Sequence, residues 1–488
     1  MPDGKCRPFI LVGSLRMETL LRDIVSIVAA SHPLAIALTW FVAVALLVSG
    51  IDDVLIDLAY WFQRIFRNRY FTQHERIPLE DLHASPEKLI AVFVPAWREE
   101  SVLEQMLTRA CESIDYTRYD IFVGVYPNDP RTLEKARNAA GRFPQIHVVI
   151  GSHAGPSSKA ENLNEIFEGM IRYENRTGVR YELIVLHDAE DVIHPQSLRA
   201  FNVFIPRYDM VQLPVFPLPA PKRTLIHWVY ADEFAETHTK ELPARQAVGG
   251  FIPSAGAGTA FNRWILEFAG TSFARNLFSR RTLTEDYDMA LRLALAGAKL
   301  AFIYRPFGQR IATWSYFPWT FPAAVRQRTR WLVGICLQAW RTYGWRGGMR
   351  LRASLYRDRK AIAANIVSGL SYAVLLYVVG VESVCRGFGG PEQSGPVVEK
   401  GSALWYIVLA DTVLMLWRML QRYASVRRVY GHTAALLSIP RLVAGNIINL
   451  AAAVRAIGQA FSYGLRGRRI PWEKTDHVYP AVHDPVPG

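Results

Sequence analysis

Cysteine is scarce in this chain. There are four in 488 residues (Cys6, Cys111, Cys336 and Cys385), with no Cys-x-x-Cys pair among them. That excludes a sequence-readable zinc site or disulfide framework and suits a reducing compartment. Acid is also in deficit: 43 Asp and Glu against 56 Lys and Arg give a net charge of +13. A surface so charged steers toward nucleic acid, anionic lipid or phosphorylated small molecules. Internal repeats and low-complexity tracts are missing, apart from a Pro-rich tail at Pro480–Gly488. The Gly-rich stretch Gly249–Phe261 (GGFIPSAGAGTAF) lacks the Lys-Ser/Thr pair of a phosphate loop, so nucleotide hydrolysis has no support. With half its residues apolar, the chain is too hydrophobic to stay disordered, and it is long enough for two or three domains.

What the sequence does have is long apolar runs. Pro33–Ile51 carries no charge and is about the length that crosses a bilayer. Ala361–Val381 is a second run of that kind, and Ser402–Trp417 a third, interrupted only by Asp411. Around Leu442–Val454 a shorter run, bracketed by Arg441 and Arg455, reads as an interfacial or re-entrant helix. The first run starts too far in, and is too long, for a cleaved signal peptide. Basic residues near the span ends set orientation. Arg64, Arg67 and Arg69 follow the first span; Arg350, Arg352, Arg357, Arg359 and Lys360 precede the second; Arg422, Arg427 and Arg428 follow the third. The expected topology is multi-pass, with the block from about 65 to 360 and the C-terminal tail in the cytoplasm and Glu382–Gly401 outside. Lys5, Arg7, Arg16 and Arg22, ahead of the first span, argue the other way.

The cytoplasmic block alternates short β-branched runs (Leu89–Pro95, Ile121–Tyr126, His147–Ile150, Leu183–Leu186) with helical spacing at Glu99–Ser113, Thr132–Arg142 and Ala160–Tyr173. That alternation predicts an α/β, doubly wound, mostly parallel sheet. In such sheets ligands bind beyond the carboxyl ends of the strands. The run Leu183–Leu186 is followed at once by His187, Asp188, Ala189, Glu190 and Asp191. Three carboxylates so close repel one another unless a cation joins them, and a divalent ion shared with phosphate oxygens fits. A solvated acidic turn is the equal alternative. Thr284, Glu285, Asp286, Tyr287 and Asp288 open another helical run. They read either as a capped helix start or as a source of a general base. Gln327, Arg328, Thr329, Arg330 and Trp331 combine two guanidiniums with an indole. They suit a membrane-facing helix end, or a diphosphate clamp beside a sugar platform.

Together, in this order and spacing and flanked by spans, these clusters resemble the processive family-2 glycosyltransferases, the cellulose-, hyaluronan- and chitin-synthase-like enzymes with a GT-A fold. The resemblance runs from about 40 to 480, and Gln-Arg-x-Arg-Trp is its most specific element. The stretches SGIDDVLIDLAYW, LHDAEDVIHP and IPWEKTDHVYP are most similar to the inner-membrane bacteriophage-receptor-type glycosyltransferases. Members of that group often carry a C-terminal nucleotide-second-messenger domain. This chain ends soon after Tyr479, so that part is expected to be absent; Arg346 and Arg350 have an Arg-x-x-x-Arg spacing without the Asp-x-Ser-x-x-Gly that should follow.

The resemblance implies a role for each matching position. Pro95 and Glu99 (in PAWRE), Asp129 (in YPNDP), Lys159 and Asn164 (in SSKAENLN) and Asp188 would bind the donor. Asp188, Glu190 and Asp191 are the candidate metal ligands, for Mg²⁺ or Mn²⁺, with the choice among them open. Asp286, beside Glu285, would be the catalytic base. Gln327, Arg328, Arg330 and Trp331 would hold diphosphate and acceptor, and Trp472, Lys474 and Thr475 would gate the nucleotide. The implied organisation is an N-terminal segment with the first span (1–66), a GT-A domain (67–345), membrane and interfacial helices (346–465) and a cytoplasmic tail (466–488). The implied activity is inverting transfer from a UDP-hexose or UDP-N-acetylhexosamine to a growing polysaccharide at the bacterial inner membrane. Its partners would be the nucleotide sugar, the glycan and membrane lipids, with room for a periplasmic or outer-membrane export partner and no nucleic acid. Single-sugar transfer to a lipid-phosphate carrier, and a non-catalytic scaffold or receptor component, are the alternatives.

Overall fold

Strand β1, Ile90–Pro95, is buried over nearly its whole length because helices cover the sheet on both sides. Ile90, Val92 and Val94 enter one apolar core while Ala91 and Phe93 enter another. This is the alternation that a pleated strand imposes. The computed structural model describes residues 9–66, 78–221, 224–272, 277–388 and 396–465, so Trp472, Lys474 and Thr475 lie outside the described residues.

β1 pairs in parallel with β2 (Tyr119–Val125) and β4 (Leu183–Leu186), and β2 with β3 (Ile146–Ile150). The sheet continues through β7 (Thr259–Asn262), antiparallel to both β4 and β5 (Met210–Gln212), and ends at β8 (Leu300–Phe302), giving the order β3-β2-β1-β4-β7-β5-β8. Two short strands, β6 (Val215–Pro217) and β9 (Thr313–Ser315), form a second, parallel pair. The expected mostly parallel α/β sheet is therefore present. Sequence reading missed β5 to β9, three or four residues each, and left the Gly-rich stretch without a strand. Its end is β7, held between β4 and β5.

Packing between sheet and helix is close enough to exclude side chains. At Gly124, on β2, an added Cβ would lie 1.9 Å from Asn162 Oδ1 and 2.6 Å from Ile166 Cγ1 of the helix Lys159–Thr177. Gly124→Ala is expected to destabilise the protein by about 1–3 kcal/mol. A lowered thermal-unfolding midpoint in detergent would show it; an unchanged midpoint would mean that this helix moves freely off the strand.

The described chain divides into two compact units, Met1–Val54 with Ala363–Arg418 and Leu55–Ile362 with Met419–Gly488. Three described helices are long and apolar enough to cross a membrane: Ala30–Phe66, Ala361–Gly380 and Ala403–Tyr463. In the first unit, Gly50 approaches Leu414 so closely that a Cβ would lie 2.7 Å from its Cδ1. Small residues of this kind let apolar helices approach one another. The third and fourth apolar runs share one long helix, Ala403–Leu465, broken at Gly431 (φ 84°). Ile448 and Ala452, from the fourth run, pack in the second unit with Val229, Tyr230, Ala324 and Val325.

Candidate active site

At the carboxyl edge of the sheet lies a cavity of about 480 Å³. Asp188 and Glu190, just past β4, line it, together with Pro95 and Glu99 from the end of β1. Lys159, the first residue of its helix, forms an ion pair with Asp188, and its Nζ lies 3.9 Å from Glu285 Oε1. Burial disfavours the charged ammonium, but the carboxylates of Asp188, Glu285 and Asp286 outweigh it and hold the lysine pKa above its ordinary value.

Glu285 and Asp286 open the helix Glu285–Leu295 and line the same cavity. Burial, reinforced by the neighbouring carboxylate, pushes the Glu285 carboxyl up to about 7. Burial raises Asp286 as well, although Lys159 and the Tyr287 N–H pull it back. Thr284 precedes them but makes no side-chain cap. Gly334 packs so close that a Cβ there would lie 2.3 Å from Thr284 Oγ1. Gly256 has a left-handed backbone (φ +78°), and a Cβ there would come within 3.1 Å of Asp286 Oδ2 and 3.4 Å of Lys159 Nζ. Only glycine adopts that conformation readily, and this one brings the Gly-rich loop against the acid–lysine cluster.

The third motif lies on the helix Phe321–Trp331, which contributes Gln327, Arg330 and Trp331 to the cavity. Buried Arg330 Nε and Gln327 Oε1 have no hydrogen-bond partner. Trp331 joins Phe234 and Phe317, whose ring centroids are 4.6 Å apart, to make an aromatic wall. Aromatic faces of this size offer flat apolar area to a pyranose. His238 completes it, stacked on Phe234 and held by burial near a pKa of about 3, hence neutral.

A polar group lines the cavity beyond this wall. The π-helix Thr237–Glu241 ends at Glu241, whose Oε1 accepts a hydrogen bond from Arg245 Nη2 at 2.6 Å. The same nitrogen donates to Asp358 Oδ1 at 2.6 Å, and the Tyr287 hydroxyl donates to Asp358 Oδ2 at 2.8 Å. Arg357 Nε lies 3.6 Å from Glu241. Burial works against the Glu241 charge, but Arg245 and Arg357 outweigh it and lower its pKa to about 2.

Residues 86–334, just over half of the chain, match the family described as "Glycosyltransferase like family 2". The chain belongs to that family. Two relatives, the bacteriophage adsorption protein B of Escherichia coli K12 and the bacteriophage N4 adsorption protein B of Escherichia coli O157:H7, are each 36% identical over 464 residues. The match takes in 90% of this chain but spans 62% of each relative. Among solved structures, the mannosyltransferase PcManGT from Pyrobaculum calidifontis, in complex with GDP-Man and Mn2+, is similar at a TM-score of 0.49 and 14% identity. That alignment covers 86% of this chain and 99% of that one.

This family-2 glycosyltransferase brings Pro95, Glu99, Lys159, Asp188, Glu190, Glu285, Asp286, Gln327, Arg330 and Trp331 onto one cavity. Four other expected residues lie outside its lining, each committed to a structural task. Asp129 caps the helix Pro130–Arg142, accepting from the Thr132 N–H at 3.3 Å and the Arg98 N–H at 2.6 Å. Asn164 clasps the backbone of Phe278, donating to its carbonyl and accepting from its N–H, both at 2.9 Å. Asp191 is turned inward, accepting the Asp188 N–H at 2.9 Å and facing His187 Nδ1 at 3.0 Å. Of the three expected strand-end acids, Asp188 and Glu190 line the cavity and Asp191 does not. Arg328 is buried and braced: it pairs with Glu233 at 2.7 Å, donates to Asn449 and lies 4.4 Å over the Tyr230 ring.

Such a brace is read by stability. Arg328→Met, which removes the cation paired with Glu233, is expected to lower the thermal-unfolding midpoint without weakening nucleoside-diphosphate binding. A loss of nucleotide affinity at an unchanged midpoint would return Arg328 to the diphosphate. Sequence reading did not single out Trp97, Tyr126, Ser157 and Asn162, which line the cavity, or the Glu241–Arg245–Asp358 group. Asn162 stands two residues before Asn164 on the same helix. The charged group belongs to no local motif.

Proposed function

We propose that the protein moves a sugar from a nucleoside-diphosphate donor, a UDP-hexose or UDP-N-acetylhexosamine, to a growing polysaccharide, with inversion, at the cytoplasmic face of the bacterial inner membrane. One observation carries this reading: Lys159 lies between Asp188 and Glu285, so that the strand-end acids and the second acidic motif meet on the cavity that also holds Asp286 and Arg330. Among the described residues no three His, Cys, Asp or Glu side chains converge as a closed metal site. Two cavity carboxylates, Asp188 and Glu190, do suit a hard divalent ion that completes its shell with substrate phosphates. When bound there, Mg²⁺ or Mn²⁺ would neutralise charge on the diphosphate.

The chain's own groups carry the rest. An acceptor hydroxyl attacks the anomeric carbon while Asp286 takes its proton. The new C–O bond forms as the bond to the diphosphate oxygen breaks, and the nucleoside diphosphate leaves with that electron pair. Arg330 offers its guanidinium to the leaving phosphate. With a single base and no carboxylate nucleophile the anomeric configuration inverts, unlike the double displacement of retaining glycosidases. Trp331 and its aromatic neighbours would seat the acceptor ring, which supports a glycan acceptor over a lipid phosphate. An export partner would receive the product.

The test is release of nucleoside diphosphate in membranes holding the full chain, measured donor by donor with and without chelator. Sugar-dependent release that chelator abolishes is the expected result. No release from any donor would favour the scaffold alternative.

A further inference from the structure

Asp286 has to aim one oxygen at the acceptor hydroxyl, yet the helix that carries it starts without a side-chain cap. Two hydrogen bonds through Tyr287 hold that turn instead. The Tyr287 backbone N–H donates to Asp286 Oδ1 at 2.7 Å, and the Tyr287 hydroxyl donates to Asp358 Oδ2 at 2.8 Å. The ring between them is 3% exposed and meets Phe251 edge-on, with centroids 5.5 Å apart. A Tyr side chain turns about only two torsions, so holding its ring and hydroxyl also holds the backbone that bears it. Burial and the facing Asp358 keep the phenol well above its ordinary pKa, so it stays a donor.

Asp358 is immobilised in its turn. Its other oxygen, Oδ1, accepts from Arg245 Nη2 at 2.6 Å, and its backbone carbonyl accepts from Cys336 Sγ at 3.3 Å. The same Arg245 nitrogen is held by Glu241 Oε1 at 2.6 Å. In the proposed chemistry Asp358 has no step, since Asp286 takes the proton and Arg330 meets the leaving phosphate. With both its oxygens already accepting, Asp358 is poorly placed to act as a base, and well placed to hold something else still. It lies on the helix Met349–Arg359, which is followed at Ala361 by a helix long and apolar enough to cross a membrane.

We propose that Asp358 is a positioning residue for the catalytic base, aiming the Asp286 carboxylate through Tyr287. This rests on the transferase reading above and adds the group that orients its base. With Oδ1 engaged by the Tyr287 N–H, the proton goes to Oδ2, the oxygen beside Gly256, where an added Cβ would stand 3.1 Å away. The chain of contacts therefore runs from Glu241 through Arg245, Asp358 and Tyr287 to the base.

The test uses the full chain in membranes, supplied with UDP-glucose, UDP-N-acetylglucosamine or UDP-N-acetylmannosamine, and follows the donor that wild type consumes fastest. Tyr287→Phe removes only the hydroxyl. Asp358→Asn leaves one amide oxygen for two donors. Each is expected to lower kcat by about 10–10²-fold, the cost of a misaimed group, with the donor KM unchanged. The deciding measurement is single-turnover transfer in an Asp286→Asn background. There the group being aimed is already lost, so either second substitution should cost no more than about twofold. A full further loss in that background would overturn the positioning role, and so would wild-type kcat in a folded variant or a loss confined to KM. If Asp358→Asn does not fold, Tyr287→Phe decides alone. Wild-type membranes that release no nucleotide from any donor would instead sink the transferase reading itself.

Discussion

Asp286→Asn should lower sugar transfer by about 10²–10⁴-fold while donor binding survives, because the amide keeps the shape but cannot take the acceptor proton. The prediction is specific to Asp286 among the cavity acids. Asp188 is held by Lys159, and Glu190 sits with it at the strand end. Asp286 opens a helix and stands against Gly256, where no side chain intervenes. The measurement is single-turnover transfer together with donor affinity. Equal losses from Asp286→Asn and Glu285→Gln would mean that the pair, and not Asp286, carries the proton. The rate–pH profile offers a second check. Burial raises both carboxyls, Glu285 to about 7. A raised acid holds its proton to higher pH, so the base becomes competent only as pH climbs. The rate should therefore rise with pH beyond the range in which an ordinary carboxylate has already ionised. A profile already flat from pH 5 upward would contradict the raised acid.

Arg330→Gln should reduce kcat by about 10²–10³-fold, the usual loss when one fixed donor to a developing charge is removed. Arg330 lines the cavity that holds Asp188 and Asp286. Arg330→Lys should recover only part of the loss, because an ammonium cannot reproduce the planar fork that fits phosphate oxygens. If Arg330→Gln raised only the donor KM, the arginine would be binding substrate and transition state alike.

The sheet could be read from the sequence because buried parallel strands are continuous β-branched runs, as in Ile90–Pro95 and Leu183–Leu186. Strands of three residues, such as Met210–Gln212, carry too little pattern to be seen. Among the residues expected at the site, Asp188 follows a strand end while Asp286 and Arg330 lie on helices, and all three line the cavity. The site was not legible where a residue of the right type spends its hydrogen bonds locally. Asp129 precedes Pro130 and a helix, which was itself a capping signal. Asn164 and Asp191 turn to backbone donors that only the folded chain supplies. Arg357 was counted among the charges that set membrane orientation, yet it lines the cavity. Sequence carries residue type and spacing, whereas partners separated by a hundred residues, such as Arg245 and Asp358, meet only through topology.

The helix Leu225–Glu236 carries a consequence for anyone trimming this polypeptide. Its three acids are each met by a cation from elsewhere: Asp232 by Arg441 at 2.7 Å, Glu233 by Arg328 at 2.7 Å and Glu236 by Arg422 at 2.5 Å. Two of those cations, and the Asn449 that steadies the third, come after residue 334, where the family match stops. A fragment cut at that border would keep Arg328 on Glu233 and Lys240 on Glu236, yet leave the buried Asp232 without its arginine. A fragment that keeps this acid paired has to include Arg441, well beyond the border that resemblance alone would draw.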